Sequence, residues 1–440
     1  MFRLLGSTRP MVAFAEKRVG RAPSKAGRPR PRPRVLPALT GLRIAAAVLV
    51  VMFHFLYIRV PAESGVAHTA AALVHRVVAS GFTSVSFFFV LSGFILTYSY
   101  LEPDGRLRGT RARFYWARVA RIYPIYLFTL LLAFLPYIGW GAVNVAVFQH
   151  GHFFPVLVLS PVFLQAWLPY PPTWNPPSWS LSAEAFFYVV FPLLVPLVGR
   201  LRRRYAPMAA LGFWAISALI VVGYVIINPD RGQHGPWYSH HWLRILYDGP
   251  LPRLPEFFLG AAVARIFVMR NGGETGWSSR LNPAVLSVVA ALGIVIVWGI
   301  GPLPVALVNQ VVLDPLFALL IYSVAFGKGP LAAVFSWPAL VVLGEASYAL
   351  YLLQWPVHDW LSRFFPKAVV TRAIAPDARD YVYFALFLVV SVAAALLAHY
   401  FIEQPARRAI QRIARRGEAA RSEASLLPVA HDDTRSAPAR

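Results

Sequence analysis

The chain has 440 residues, 58% hydrophobic and 14% charged, with a mean hydropathy of +0.56, which excludes an ordinary soluble domain and points to many membrane spans. It contains no cysteine, which excludes disulfides, thiolate metal sites, a cysteine nucleophile and palmitoylation. The net charge of +23 is explained by the side of the membrane on which the basic residues fall, so no nucleic-acid partner is inferred from it.

Ten apolar segments, near 36–58, 79–100, 120–139, 178–199, 208–227, 251–269, 282–300, 307–326, 338–361 and 381–402, predict an all-α, polytopic membrane bundle of about ten transmembrane helices. An even number puts both termini on one side. With the N-terminus inside, cytoplasmic segments carry 31 of the 42 Lys and Arg residues, so the predicted orientation is N-in and C-in, in the inner or plasma membrane. Residues 1–34, with alternating Arg and Pro from Arg28 to Arg34, read as a disordered basic cytoplasmic arm. Residues 35–405 form the membrane domain. Residues 406–440 read as a cytoplasmic basic and polar tail that begins as an amphipathic helix on the inner leaflet.

The first span holds Arg43 and His54, two ionisable groups where hydrocarbon penalises both, which makes them the leading candidate site. Eleven residues return to nearly the same helix face about 16 Å along the axis. An alternative reading has Arg43 snorkelling to the surface and His54 bonding a neighbouring helix. The second span contains Ser92 and Gly93; this pair permits close helix packing, or the passage of a thin ligand such as a pantetheine arm.

Before the third span, Arg118 and Arg121 share one helical face, suited to the phosphates of a nucleotide such as coenzyme A or to plain cytoplasmic anchoring. The loop before the fourth span presents Trp174 and Trp179, then Glu184. The tryptophans are candidate platforms for sugar rings or members of an interfacial belt. Glu184 enters the membrane from the side opposite Arg43, at a depth that matches His54, and is expected to orient that imidazole; the alternative is a first-turn acid complementing the helix dipole. His150, His152, His234, His240 and His241 lack a carboxylate or cysteine framework, so no metal is expected. Glu345, His358, His399 and Glu403 are expected to make structural contacts.

These residues resemble the membrane-bound acyltransferase 3 family, whose members move acyl groups from a cytoplasmic donor to sugars or lipids on the far side. The resemblance covers roughly 36–404. It is carried by Arg43 and His54, the Phe-Phe-Val-Leu-Ser-Gly-Phe run ending at Phe94, Arg118-Val-Ala-Arg121-Ile-Tyr-Pro, the stretch from Trp179 through Glu184 to Tyr188, and Ser347 to Tyr351. It implies that Arg43 and His54 are the essential pair and that Arg118 and Arg121 serve the donor end. Many members carry a histidine after Tyr-Leu-Tyr-Leu where this chain has Gln354, which is read as a structural polar contact between helices or, alternatively, as a hydrogen-bonding group for the acceptor. The esterase-like domain that some relatives carry beyond the last span is not seen.

The expected activity is transfer of an acetyl or other short acyl group from acyl-CoA to a hydroxyl of a cell-surface or exported glycan or glycolipid. His54 would take the hydroxyl proton, Glu184 would orient it, and Arg43 would hold donor phosphate or polarise the acyl carbonyl. Direct transfer and an acyl-histidine intermediate are both compatible with this. Alternatives are O-acylation of a small secreted metabolite such as a macrolide sugar and, in another class, a multi-span transporter, though transporters commonly show repeated halves and these motifs occur once each.

Overall fold

The computed structural model describes residues 35–56, 65–102, 104–139, 153–168, 175–230, 241–271, 281–300 and 307–426. Its helices are α1 (Pro37–Phe55), α2 (Val66–Ala79), α3 (Ser84–Tyr100), α4 (Arg111–Gly139), α5 (Phe153–Leu159), α6 (Trp179–Gly199), α7 (Ala206–Ile227), α8 (His241–Asp248), α9 (Pro250–Asn271), α10 (Pro283–Ile300), α11 (Asp314–Val324), α12 (Pro330–Phe335), α13 (Pro338–Phe364), α14 (Lys367–Val370), α15 (Arg379–Ala398) and α16 (Gln404–Leu426). Among the described residues there is no strand, only an isolated bridge between Leu101 and Leu107. The expected arm at 1–34 and the end of the tail lie outside the described residues.

Each of the ten apolar segments contains a helix, and the chain folds as a helical membrane bundle. Eight helical stretches among the described residues are long and apolar enough to cross a bilayer. The other two segments differ for evident reasons. Helix α9 carries Arg253, Glu256, Arg265 and Arg270, and α11 is only 11 residues long, continuing from a π-helical turn at Leu307–Leu313. Both are nonetheless rich in buried residues, including Phe257, Ala261 and Phe267 of α9 and Phe317 and Ile321 of α11.

Small residues bring the site-bearing helices together. Helices α1 and α13 run side by side in the same direction, and a Cβ added at Gly344 would lie 1.9 Å from the carbonyl oxygen of Thr40. The parallel pair α3 and α9 cross as closely, since a Cβ at Gly93 would sit 1.8 Å from the Phe257 oxygen and one at Gly260 1.9 Å from that of Val90. In apolar surroundings such backbone approach replaces the hydrophobic driving force available in water.

One buried charge pair ties this crossing. The Arg253 guanidinium, fully buried, donates to Glu256 at 2.5 Å and to Ser86 of α3 at 3.1 Å, and lies over the rings of Phe89 and Tyr247. A lone buried charge would be costly; a paired and hydrogen-bonded one is tolerated.

Candidate active site

Proline at the start of α1 supplies a pre-set helical φ where no N–H partner is needed, and the helix then runs to its last turn, where His54 sits. Its Nδ1 lies 2.9 Å from Oε1 of Gln354 on α13, and the Gln354 amide nitrogen donates to the Tyr351 carbonyl at 2.7 Å. The second bond fixes the amide orientation. Oε1 can only accept, so Nδ1 of His54 carries the proton and Nε2 keeps its lone pair. Trp355 and Phe55 meet the imidazole edge to face, at 5.8 and 5.9 Å between centroids, and restrict its tilt.

A cavity of about 820 Å³ opens at the arginine-rich end of the bundle and runs inward past Arg43, Ser92, Glu184 and Tyr188 to Ser180, Leu181 and Tyr351. At its inner end the Tyr351 hydroxyl lies 2.9 Å from Ser180 Oγ and 3.2 Å from the Pro177 carbonyl. Gln354, the residue that holds His54, follows Tyr351 by one turn of α13. The cavity thus reaches along α13 to Tyr351, about 5 Å of helix rise short of Gln354, while on α1 its innermost lining residue is Arg43.

Glu184 is not the partner of His54 here. Its Oε1 accepts hydrogen bonds from Ser92 Oγ, at 3.1 Å, and from the Tyr188 hydroxyl. The carboxylate is one of the charges nearest Arg43, with Glu403 and Arg121. The expectation that it orients the imidazole is corrected: matched depth does not fix which side of a helix faces which neighbour, and Gln354 makes that contact. Gln354 in turn is fully buried with both amide atoms engaged, which corrects its reading as a group for the acceptor.

Arg118 donates to the Tyr100 hydroxyl at 3.1 Å and is boxed by the rings of Tyr100, Phe114 and Tyr188, 5.3 to 5.7 Å from its guanidinium carbon. Both Arg118 and Arg121 line the cavity. Ser92 and Gly93 part ways: the serine lines the cavity, whereas the glycine is pressed on the α9 backbone. The passage of a ligand past Gly93 is therefore replaced by helix packing. Trp179 is buried between Phe89 and Tyr247 and offers no open face to a sugar; Trp174 lies outside the described residues, as do His150, His152, His234 and His240. Among the described residues no cluster of three or more His, Cys, Asp or Glu side chains is placed to hold a metal.

The family described as an acyltransferase domain, acyltransferase 3, matches residues 36–400. The chain belongs to the acyltransferase 3 family. It is 32% identical over 399 residues to acyltransferase MdmB of Streptomyces mycarofaciens, covering 86% of this chain and 94% of that one. It is 24% identical over 405 residues to O-acetyltransferase OatA of Staphylococcus aureus, covering 86% of this chain but only 58% of the relative. No solved structure matches. As a member of this family the protein is an acyltransferase embedded in a membrane.

Sequence reasoning missed the part of this acyltransferase's cavity that lies at the end of the matched stretch and beyond it. His399, Glu403, Gln404, Arg407, Arg408 and Gln411 line the cavity mouth. The signal was present as an Arg pair just past the last span, but it was absorbed by the general excess of basic residues at that end.

Proposed function

We propose that the protein transfers an acetyl or other short acyl group from acyl-CoA to a hydroxyl of a cell-surface or exported glycan or glycolipid, with the arginine-lined mouth on the cytoplasmic side. The observation that carries this reading is the bond between His54 and Gln354 above the inner end of the cavity. It leaves Nε2 as a free base beyond a passage whose mouth suits phosphate.

In this scheme the acyl-CoA phosphates rest among the arginines and the pantetheine arm runs inward past Arg43 and Ser92. Nε2 of His54 takes the proton of the acceptor hydroxyl as its oxygen attacks the thioester carbonyl. The tetrahedral intermediate then expels the CoA thiolate, which recovers that proton from the imidazolium, so the transfer balances without a further acid or base. Arg43 lies about 16 Å of helix rise from His54, too far to hold the carbonyl that His54 serves, and its role is to bind the donor. Glu184 steadies the donor passage through Ser92 and Tyr188.

The name of the Staphylococcus aureus relative, an O-acetyltransferase, supports acetyl as the group and oxygen as the acceptor atom. The test is to supply membranes containing the protein with radiolabelled acetyl-CoA and candidate glycan and glycolipid acceptors. Label in an alkali-labile ester of a glycan supports the proposal; label retained by CoA with every acceptor and acyl length contradicts it.

A further inference from the structure

The helix α16 begins where the π-helical turn His399–Glu403 ends α15, and its first turns pack against α4. This carries Arg407 and Gln411, one turn apart, into the lining of the cavity together with Arg118 and Arg121 of α4, with Arg408 at the rim. The charges acting on Arg407 include both α4 arginines, which repel it, and Glu403, which attracts it. Arg121 likewise repels Arg43. Six arginines thus line a partly enclosed space with three carboxylates, Glu184, Glu345 and Glu403, a formal excess of three positive charges that favours a multiply charged anion.

The rim arginine is held in place by a directed chain. Arg408 donates to Gln404 Oε1 at 3.0 Å; because that oxygen accepts, the Gln404 amide nitrogen is the donor to His399 Nε2, also at 3.0 Å. The proton of His399 is then on Nδ1, which donates to Glu403 Oε2 at 2.9 Å. Each member fixes the polarity of the next.

We propose that α16 is the second half of a nucleotide-phosphate site, in which Arg407 and Arg408 bind the phosphates of the 3′-phospho-ADP end of the acyl donor, together with Arg118 and Arg121. The inference rests on the acyl-CoA reading above and adds to it a recognition element beyond residue 400. Guanidinium forks are matched to phosphate oxygens, and two pairs on separate helices grip a ligand with three phosphates better than one pair does. Anionic lipid headgroups present the same chemistry, so the two sources must be separated by experiment.

The full-length protein, purified in detergent, is titrated calorimetrically with coenzyme A, 3′-dephospho-CoA and S-acetylpantetheine, as wild type and as Arg407→Gln/Arg408→Gln. The preference of wild type for coenzyme A over S-acetylpantetheine should fall by about tenfold or more in the variant. Gln404→Leu, which frees Arg408 without removing charge, should give a smaller loss in the same direction and serves if the double variant does not fold. The titration is repeated in nanodiscs with and without phosphatidylglycerol. Wild-type binding of coenzyme A with an unchanged preference in the variants overturns the proposal, as does a defect confined to retention of phosphatidylglycerol. Failure of wild type to bind coenzyme A at all overturns the donor reading itself, and this inference with it.

Discussion

The imidazole of His54 and the amide of Gln354, 300 residues apart in the chain, meet at 2.9 Å in a bond whose direction is set by the Tyr351 carbonyl. A neutral amide oxygen orients the ring without adding a charge to the membrane interior, where an unpaired carboxylate would be costly. Replacing Gln354 by Leu keeps the volume and removes the bond. The expected result is a fall in kcat of roughly ten- to a hundredfold, the kinetic equivalent of losing an interaction worth about 1.4–3 kcal/mol. The KM for acyl-CoA should be little changed. Steady-state kinetics on purified protein check this.

Glu184→Gln tests the corrected role of that acid. Because its oxygen is bonded by Ser92 and Tyr188 in the donor passage, the variant should raise the KM for acyl-CoA and leave the midpoint of the pH–rate profile in place. Ser92→Ala should reproduce part of the effect. A displaced midpoint would return Glu184 to the side of His54.

Arg118→Gln/Arg121→Gln should raise the KM for acyl-CoA more than that for the acceptor, with the wild-type donor affinity falling as salt rises and the variant's responding less. Equal changes for both substrates would leave the pair as membrane anchors.

Two positions separate packing from chemistry. Trp179→Ala should destabilise the protein by about 3–5 kcal/mol, as expected for emptying a core aromatic site, and Gly93→Ala by about 1–3 kcal/mol through contact with the Phe257 backbone. Thermal unfolding in detergent measures both, and the folded fraction of each should retain its KM for acyl-CoA.

The helices were legible because apolar length is a local property, and each expected segment contains one. Arg118 and Arg121 were legible for the same reason, being three residues apart on one helix. What could not be read was lateral order. His54 and Glu184 were paired by depth, but depth is one coordinate, and the lateral neighbours turn out to be Gln354 of α13 for the histidine and Ser92 of α3 for the acid. Ser92 and Gly93, adjacent in sequence, point about 100° apart on a helix, and it is the serine that faces the cavity while the glycine meets the Phe257 backbone. Arg407 and Arg408 were hidden by their composition: on a basic tail, an arginine that lines a site looks like one that does not.

His54→Gln measures the central claim most directly. The glutamine keeps polarity and approximate size and can still bond Gln354, but it has no basic nitrogen to take a proton. With the purified variant shown to be folded by its unfolding temperature and still binding coenzyme A, acetyl transfer from acetyl-CoA should fall by about 10²–10⁴-fold, the range attributed to a positioned general base. Transfer at close to the wild-type rate would contradict the account and leave His54 as a helix contact.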